Sequence, residues 1–122
     1  MWTKDLERMR QFYQKYFGCA ASEKYLNPNT GFESYFLSFD SGARIELMQK
    51  EHIPANRNSA KEQYIGLIHF ALSVGSRDEV AAITERLRKD GFEIVGEPRT
   101  TGDGYFESCL LDPEGNRIEI TV

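Results

Sequence analysis

The chain has 122 residues, 40% hydrophobic and 28% charged, which is the size and composition of one ordinary globular domain. Fifteen Lys and Arg against nineteen Asp and Glu leave a net charge of −4 without any basic block, so no nucleic-acid partner is expected. No apolar run nears the ~20 residues that cross a bilayer and no apolar segment follows Met1, so neither membrane nor secretion is expected and the cytoplasm is the default.

Asp5 to Phe17 carries Leu6, Met9, Phe12, Tyr13, Tyr16 and Phe17 at three-four spacing, which predicts a helix with one apolar stripe, and Gly18 stands where a left-handed cap belongs. Strand-like runs follow at about 19–26, 32–39 and 43–49, with Asp40-Ser41-Gly42 as the last turn. Lys50 to Tyr64 is polar, holds a Pro and two Asn, and reads as a linker long enough to double as a mobile cover. Gly66 to Val74 is a strand, and Ser76-Arg77-Asp78-Glu79 is a capping box opening a second helix, with Val80, Ile83 and Leu87 as its stripe and Gly91 at its end. Runs at about 92–99, 105–111 and 116–122 close the chain, the last two joined by Asp112-Pro113-Glu114-Gly115. Cys19 and Cys109, with no third thiol, read as free and buried.

The order β-α-β-β-β is thus written twice. Gly31-Phe32-Glu33-Ser34 is echoed by Tyr105-Phe106-Glu107-Ser108, and Arg44-Ile45-Glu46-Leu47 by Arg117-Ile118-Glu119-Ile120 at an offset of 73. The predicted organisation is one domain over 1–122, with module one at 1–49, a linker at 50–65 and module two at 66–122. Module one lacks most of its opening strand, because Met1-Trp2-Thr3 already adjoins the helix.

Strand alternation sorts the side chains. Ile45 and Leu47 face one way and Arg44, Glu46 and Met48 the other; Ile68, Phe70 and Leu72 oppose His69; Ile118, Ile120 and Val122 oppose Glu119. The apolar faces pack on helices, which leaves Glu46, His69 and Glu119 on the opposite faces. Taken singly, each is an ordinary solvated or structural strand residue. The repeat singles them out, since two carboxylates and an imidazole suit a borderline divalent ion such as Zn²⁺, Ni²⁺, Co²⁺ or Mn²⁺.

Trp2 to Met9 leading to Phe12-Tyr13 and Tyr16-Phe17-Gly18, then Ile68-His69-Phe70-Ala71-Leu72, and above all Asp112-Pro113-Glu114-Gly115-Asn116-Arg117-Ile118-Glu119, resemble the vicinal oxygen chelate superfamily over nearly the whole chain. That superfamily groups glyoxalase I, bleomycin-resistance proteins, fosfomycin-resistance enzymes and extradiol dioxygenases. The resemblance implies an α+β fold of two βαβββ modules pairing into a curved, half-barrel-like mixed sheet around a cavity. In the glyoxalase I-like branch it implies one divalent metal (Ni, Zn, Co or Mn) held by Glu46, His69, Glu119 and a first-strand His. Here the sequence departs: that His falls about three residues before Met1. A strand starting at its last two residues favours a sequence that has lost its first few; a three-coordinate site is the alternative, and His52 in the linker is set aside as a poor ligand platform.

By the same resemblance Glu119, with Glu46 as its near-symmetric rival, is the catalytic base of a lyase or isomerase that stabilises an enolate of a small oxygenated substrate. Glutathione use is doubtful, because the places of the glutathione-binding Arg and Asn fall at Trp2 and Lys50. Trp2, Arg44, Met48 and Tyr105 are the candidate substrate contacts, with Arg117 flanking the site as the repeat partner of Arg44. The expected partners are a small-molecule substrate and a second copy in a homodimer. The competing readings are a metal-free drug- or metabolite-binding protein, a fosfomycin-resistance-type enzyme and an extradiol dioxygenase.

Overall fold

The computed structural model of the chain describes residues 1–122, which divide into two compact units, Met1–Asn56 and Arg57–Val122. In the first unit, α1 (Leu6–Phe17) starts where the Asp5 carboxylate accepts the Arg8 N–H. It stops where Gly18, at φ 65°, takes the left-handed turn and returns its N–H to the Gln14 carbonyl. Leu6, Met9, Phe12, Tyr13 and Tyr16 are all buried, so the stripe read from the sequence is the face that packs.

Four strands follow: β1 (Ala20–Ala21), β2 (Tyr25–Asn27), β3 (Phe32–Ser38) and β4 (Arg44–Gln49). β4 pairs antiparallel with one edge of β3, and β1 and β2 lie end to end along the other. The run expected as one strand over 19–26 is therefore broken. The Ser22 hydroxyl accepts the Phe36 N–H, doing the work of a ladder carbonyl, and the chain leaves the edge at Glu23-Lys24. Lys24 then reaches Glu33 at 2.7 Å. The opening strand of this unit is reduced to one parallel bridge, Trp2 to Met48, made by Thr3 N–H to Met48 O at 2.7 Å and Met48 N–H to Met1 O at 2.8 Å.

In the second unit, β5 (His69–Ser73), α2 (Arg77–Lys89), β6 (Ile94–Thr100), β7 (Phe106–Leu111) and β8 (Arg117–Thr121) form a sheet of order β5-β8-β7-β6, parallel only between β5 and β8. Ser76 caps α2 by accepting the Glu79 N–H, and Gly91 at φ 87° turns the chain away. Val80 and Leu87 are buried as the stripe requires, while Ile83 is only half-buried and Thr84 takes the inward place. The Thr84 hydroxyl lies 2.6 Å from the Val80 carbonyl and 2.6 Å from the Ser108 hydroxyl, so both buried hydroxyls are satisfied. Leu110, Ile118 and Ile120 are fully buried, each contributing roughly 1.5–3 kcal/mol by removal from water.

The segment from Lys50 to Ile68 contains neither helix nor strand, and the two units meet inside it. Its second half closes on itself, with Ser59 N–H to Glu62 O and Tyr64 N–H to the Asn58 side chain. No helix is long and apolar enough to cross a membrane.

Candidate functional site

In the first unit the helix face of the sheet is fixed by contacts to α1. Tyr35 donates its hydroxyl to Glu7 at 2.8 Å, Arg10 stacks on the Tyr35 ring, and Gln49 accepts the Leu6 N–H. Glu33, Tyr35, Leu37, Ile45, Leu47 and Gln49 thus share that face by alternation and by their pairing across β3 and β4. The opposite face carries Phe32, Ser34, Phe36, Arg44, Glu46 and Met48, so Arg44, Glu46 and Met48 stand where the sequence places them. Glu46 pairs with Phe36 across the ladder, and the Arg44 guanidinium lies over the Phe36 ring at 5.0 Å. Trp2, 42% exposed, is edge-on to Phe32 at 6.0 Å, and the Tyr25 ring is tilted against Phe32 at 6.1 Å.

In the second unit the Thr84–Ser108 pair fixes the helix face, and Ser108, Leu110, Ile118 and Ile120 lie on it. The opposite face carries His69, Glu119, Arg117, Cys109 and Glu107. Residue 69 pairs with 117, and 71 with 119, so His69 reaches Glu119 diagonally, with Nε2 3.2 Å from Oε2. The two side chains are 39% and 21% exposed, open enough for a ligand to meet them. Arg117 donates through Nη1 to the Cys109 sulfur at 3.6 Å and through Nη2 to the Ala60 carbonyl at 3.3 Å. Burial pushes the Cys109 thiol up, against the pull of Arg117, and it likewise raises that of Cys19; both thiols are free, Cys19 buried and Cys109 half-buried.

Glu107 is the residue that the sequence reading misses, and the Phe-Glu-Ser echo is the reason. In the ladders Phe36 pairs with Glu46 as Cys109 pairs with Glu119, so the true offset between the modules is 73 throughout. Glu33 and Glu107 are 74 apart, one residue out of step, and a one-residue slip sends a side chain to the other face. Glu33 therefore faces α1 and the Lys24 ammonium, while Glu107 shares the face of His69 and Glu119. Counting alternate residues back from Cys109 would have found it. Burial foremost, then the charge of Glu119, raises the Glu107 carboxyl above its ordinary value, with Arg99, 3.9 Å away, opposing.

The same register gives the first-unit position equivalent to His69. Trp2 pairs with Met48 as Ser73 pairs with Thr121, so the residue matching His69 falls four places ahead of Trp2, before Met1. Within neither unit do three His, Cys, Asp or Glu side chains gather as a metal-holding group. The second unit brings His69 and Glu119 together, and Glu46 belongs to the first. His52 is fully open beside Glu51 at 3.8 Å, at φ 66°. Tyr105 is 59% exposed, and its carbonyl accepts the Thr101 N–H in the turn before β7.

This fold has relatives. A glyoxalase family protein from Bacillus cereus superposes with a TM-score of 0.82 at 20% identity, over 99% of this chain and 88% of that one. A trypanothione-dependent glyoxalase I from Leishmania major gives 0.75 at 21% identity, over 99% of this chain and 81% of that one. A V278E mutant of glyoxalase I from Zea mays gives 0.77 at 23% identity over 98% of this chain, which spans only 41% of the maize chain. No curated protein matches. The family model for the glyoxalase/bleomycin resistance protein/dioxygenase superfamily matches residues 1–120, and the chain belongs to that superfamily.

Proposed function

We propose that the chain is a divalent-metal-dependent, glyoxalase-like lyase or isomerase acting on a small oxygenated substrate. The observation that carries this reading is the His69–Glu119 pair, 3.2 Å apart and partly open on one sheet face, with Glu46 at the repeat-equivalent position of the other module. One imidazole and two carboxylates match Ni²⁺, Zn²⁺, Co²⁺ or Mn²⁺ in kind. His69, Glu119 and Glu46 would hold the ion, which supplies Lewis acidity toward an oxygen developing negative charge. Glu119 serves as the base that carries a proton between adjacent carbons, with the His69 imidazole 3.2 Å from its carboxylate. Glu46 is the equivalent group of module one. Trp2, Met48 and Arg44 flank Glu46 and contact the substrate, and Tyr105 does so from the turn before β7. The working assembly is a homodimer.

A second reading, metal-free capture of a drug or metabolite, is favoured by the open aromatic row of Tyr25, Phe32 and Trp2. Elemental analysis of untagged protein separates the two. The enzyme reading expects about one divalent ion per chain, lost in Glu119→Ala, and solvent deuterium entering 2-oxoaldehyde-derived substrates only with the loaded wild type. A wild type that takes up no Ni²⁺, Zn²⁺ or Mn²⁺ would leave the binding-protein reading.

A further inference from the structure

Arg117 opens β8 on the face that also carries Glu119. A guanidinium presents its Nε–H and one Nη–H side by side as a planar fork that fits the two oxygens of a carboxylate. In Arg117 that fork is half filled. Nη2 donates to the Ala60 carbonyl at a long 3.3 Å, while Nε is buried and has no partner. Its remaining donor, Nη1, meets the Cys109 sulfur at 3.6 Å, which burial keeps as a neutral thiol. No ion pair joins Arg117 to a carboxylate, and Glu119, two residues along on the same face, lies against His69. Arg10, Arg88 and Arg99 each have a carboxylate partner, so Arg117 is a partly buried cation whose acceptors are both neutral.

The Ala60 carbonyl belongs to residues 57–64, a stretch with its own internal bonds: Lys61 and Glu62 N–H to the Ser59 hydroxyl, and Tyr64 N–H to Asn58. It is a preformed strap tied to β8 by Arg117. We propose that the Nε/Nη2 fork of Arg117 is a binding site for the carboxylate group of a small molecule, and that Ala60 holds the place this carboxylate takes, so that binding releases the strap. A carboxylate fills both N–H groups and neutralises the guanidinium, whereas a carbonyl fills one and neutralises nothing. The site does not depend on a metal.

The test uses the metal-free full chain, titrated with acetate and in parallel with acetamide, its neutral isostere, while amide hydrogen exchange is followed across residues 57–64. Acetate is expected to speed exchange at Glu62 and Tyr64 saturably, and acetamide to leave it unchanged. Arg117→Lys, which keeps the charge but loses the fork, is expected to weaken the acetate response about tenfold or more. Arg117→Gln is expected to exchange fast in the strap without acetate and not to respond, with the β7 and β8 amides still protected. Arg8→Gln, at an exposed position of α1, is the charge control and is expected to match the wild type. Equal responses to acetate and acetamide, no response in the wild type, or an unchanged response in Arg117→Lys would each overturn the proposal. None of these outcomes bears on metal uptake, which is read separately.

Discussion

Glu107 faces Thr121 across one ladder and Arg99 across the other, and the Arg99 guanidinium stands 3.9 Å from its carboxylate. Its carboxyl is raised above the ordinary 4.5 by burial and by Glu119. A raised native value means that the group favours the folded state while protonated, and that this contribution is lost as pH climbs through the native value. Glu107→Gln is therefore expected to be more stable than wild type at pH 7, with the two melting curves converging as pH falls below 4.5. The Thr84–Ser108 contact allows a sharper test at the same scale. Thr84→Val leaves the buried Ser108 hydroxyl unpaired and is expected to cost about 1–3 kcal/mol in urea unfolding, most of it recovered in Thr84→Val/Ser108→Ala. The face of Glu46, His69 and Glu119 was legible because each sits in an unbroken strand with apolar neighbours on the other side. Glu107 was not, because a four-residue echo suggested an offset of 74 where pairing imposes 73.

Both helices were legible from their stripes and from Gly18 and Ser76, which cap as their residue types do best; Asp5, read as the first helical residue, is instead the N-cap of α1. Ser76→Ala is accordingly expected to lower stability by about 1 kcal/mol, measurable by chemical denaturation, through loss of the bond to the Glu79 N–H. The break between β1 and β2 was not legible. It arises because a serine hydroxyl, at 3.0 Å, competes with a backbone carbonyl for the Phe36 N–H, and periodicity carries no trace of that choice. In β6 the ladder shifts register around Gly96 and Arg99, with Pro98, which has no N–H, between them.

At the scale of the whole chain, the duplication was written plainly enough to give the β-α-β-β-β order of the second half, while the superfamily was legible from the motifs at Ile68–Leu72 and Asp112–Glu119. What connects the halves was read by composition alone as Lys50 to Tyr64; helix and strand are absent as far as Ile68, so the strand expected from Gly66 begins only at His69. Lys50, Arg57 and Lys61 are all exposed in that stretch, so limited trypsin digestion is expected to cut there first, yielding two fragments of roughly half-length before either helix is attacked. The metal ligands proposed above are tested by a competitive Zn²⁺ titration of wild type, Glu46→Ala, His69→Ala and Glu119→Ala. One ion per chain is expected in the wild type, with an affinity about tenfold or more weaker in every variant, Glu46→Ala included. Undiminished Zn²⁺ affinity in Glu46→Ala, with loss in the other two, would contradict that expectation by confining the metal to the second module.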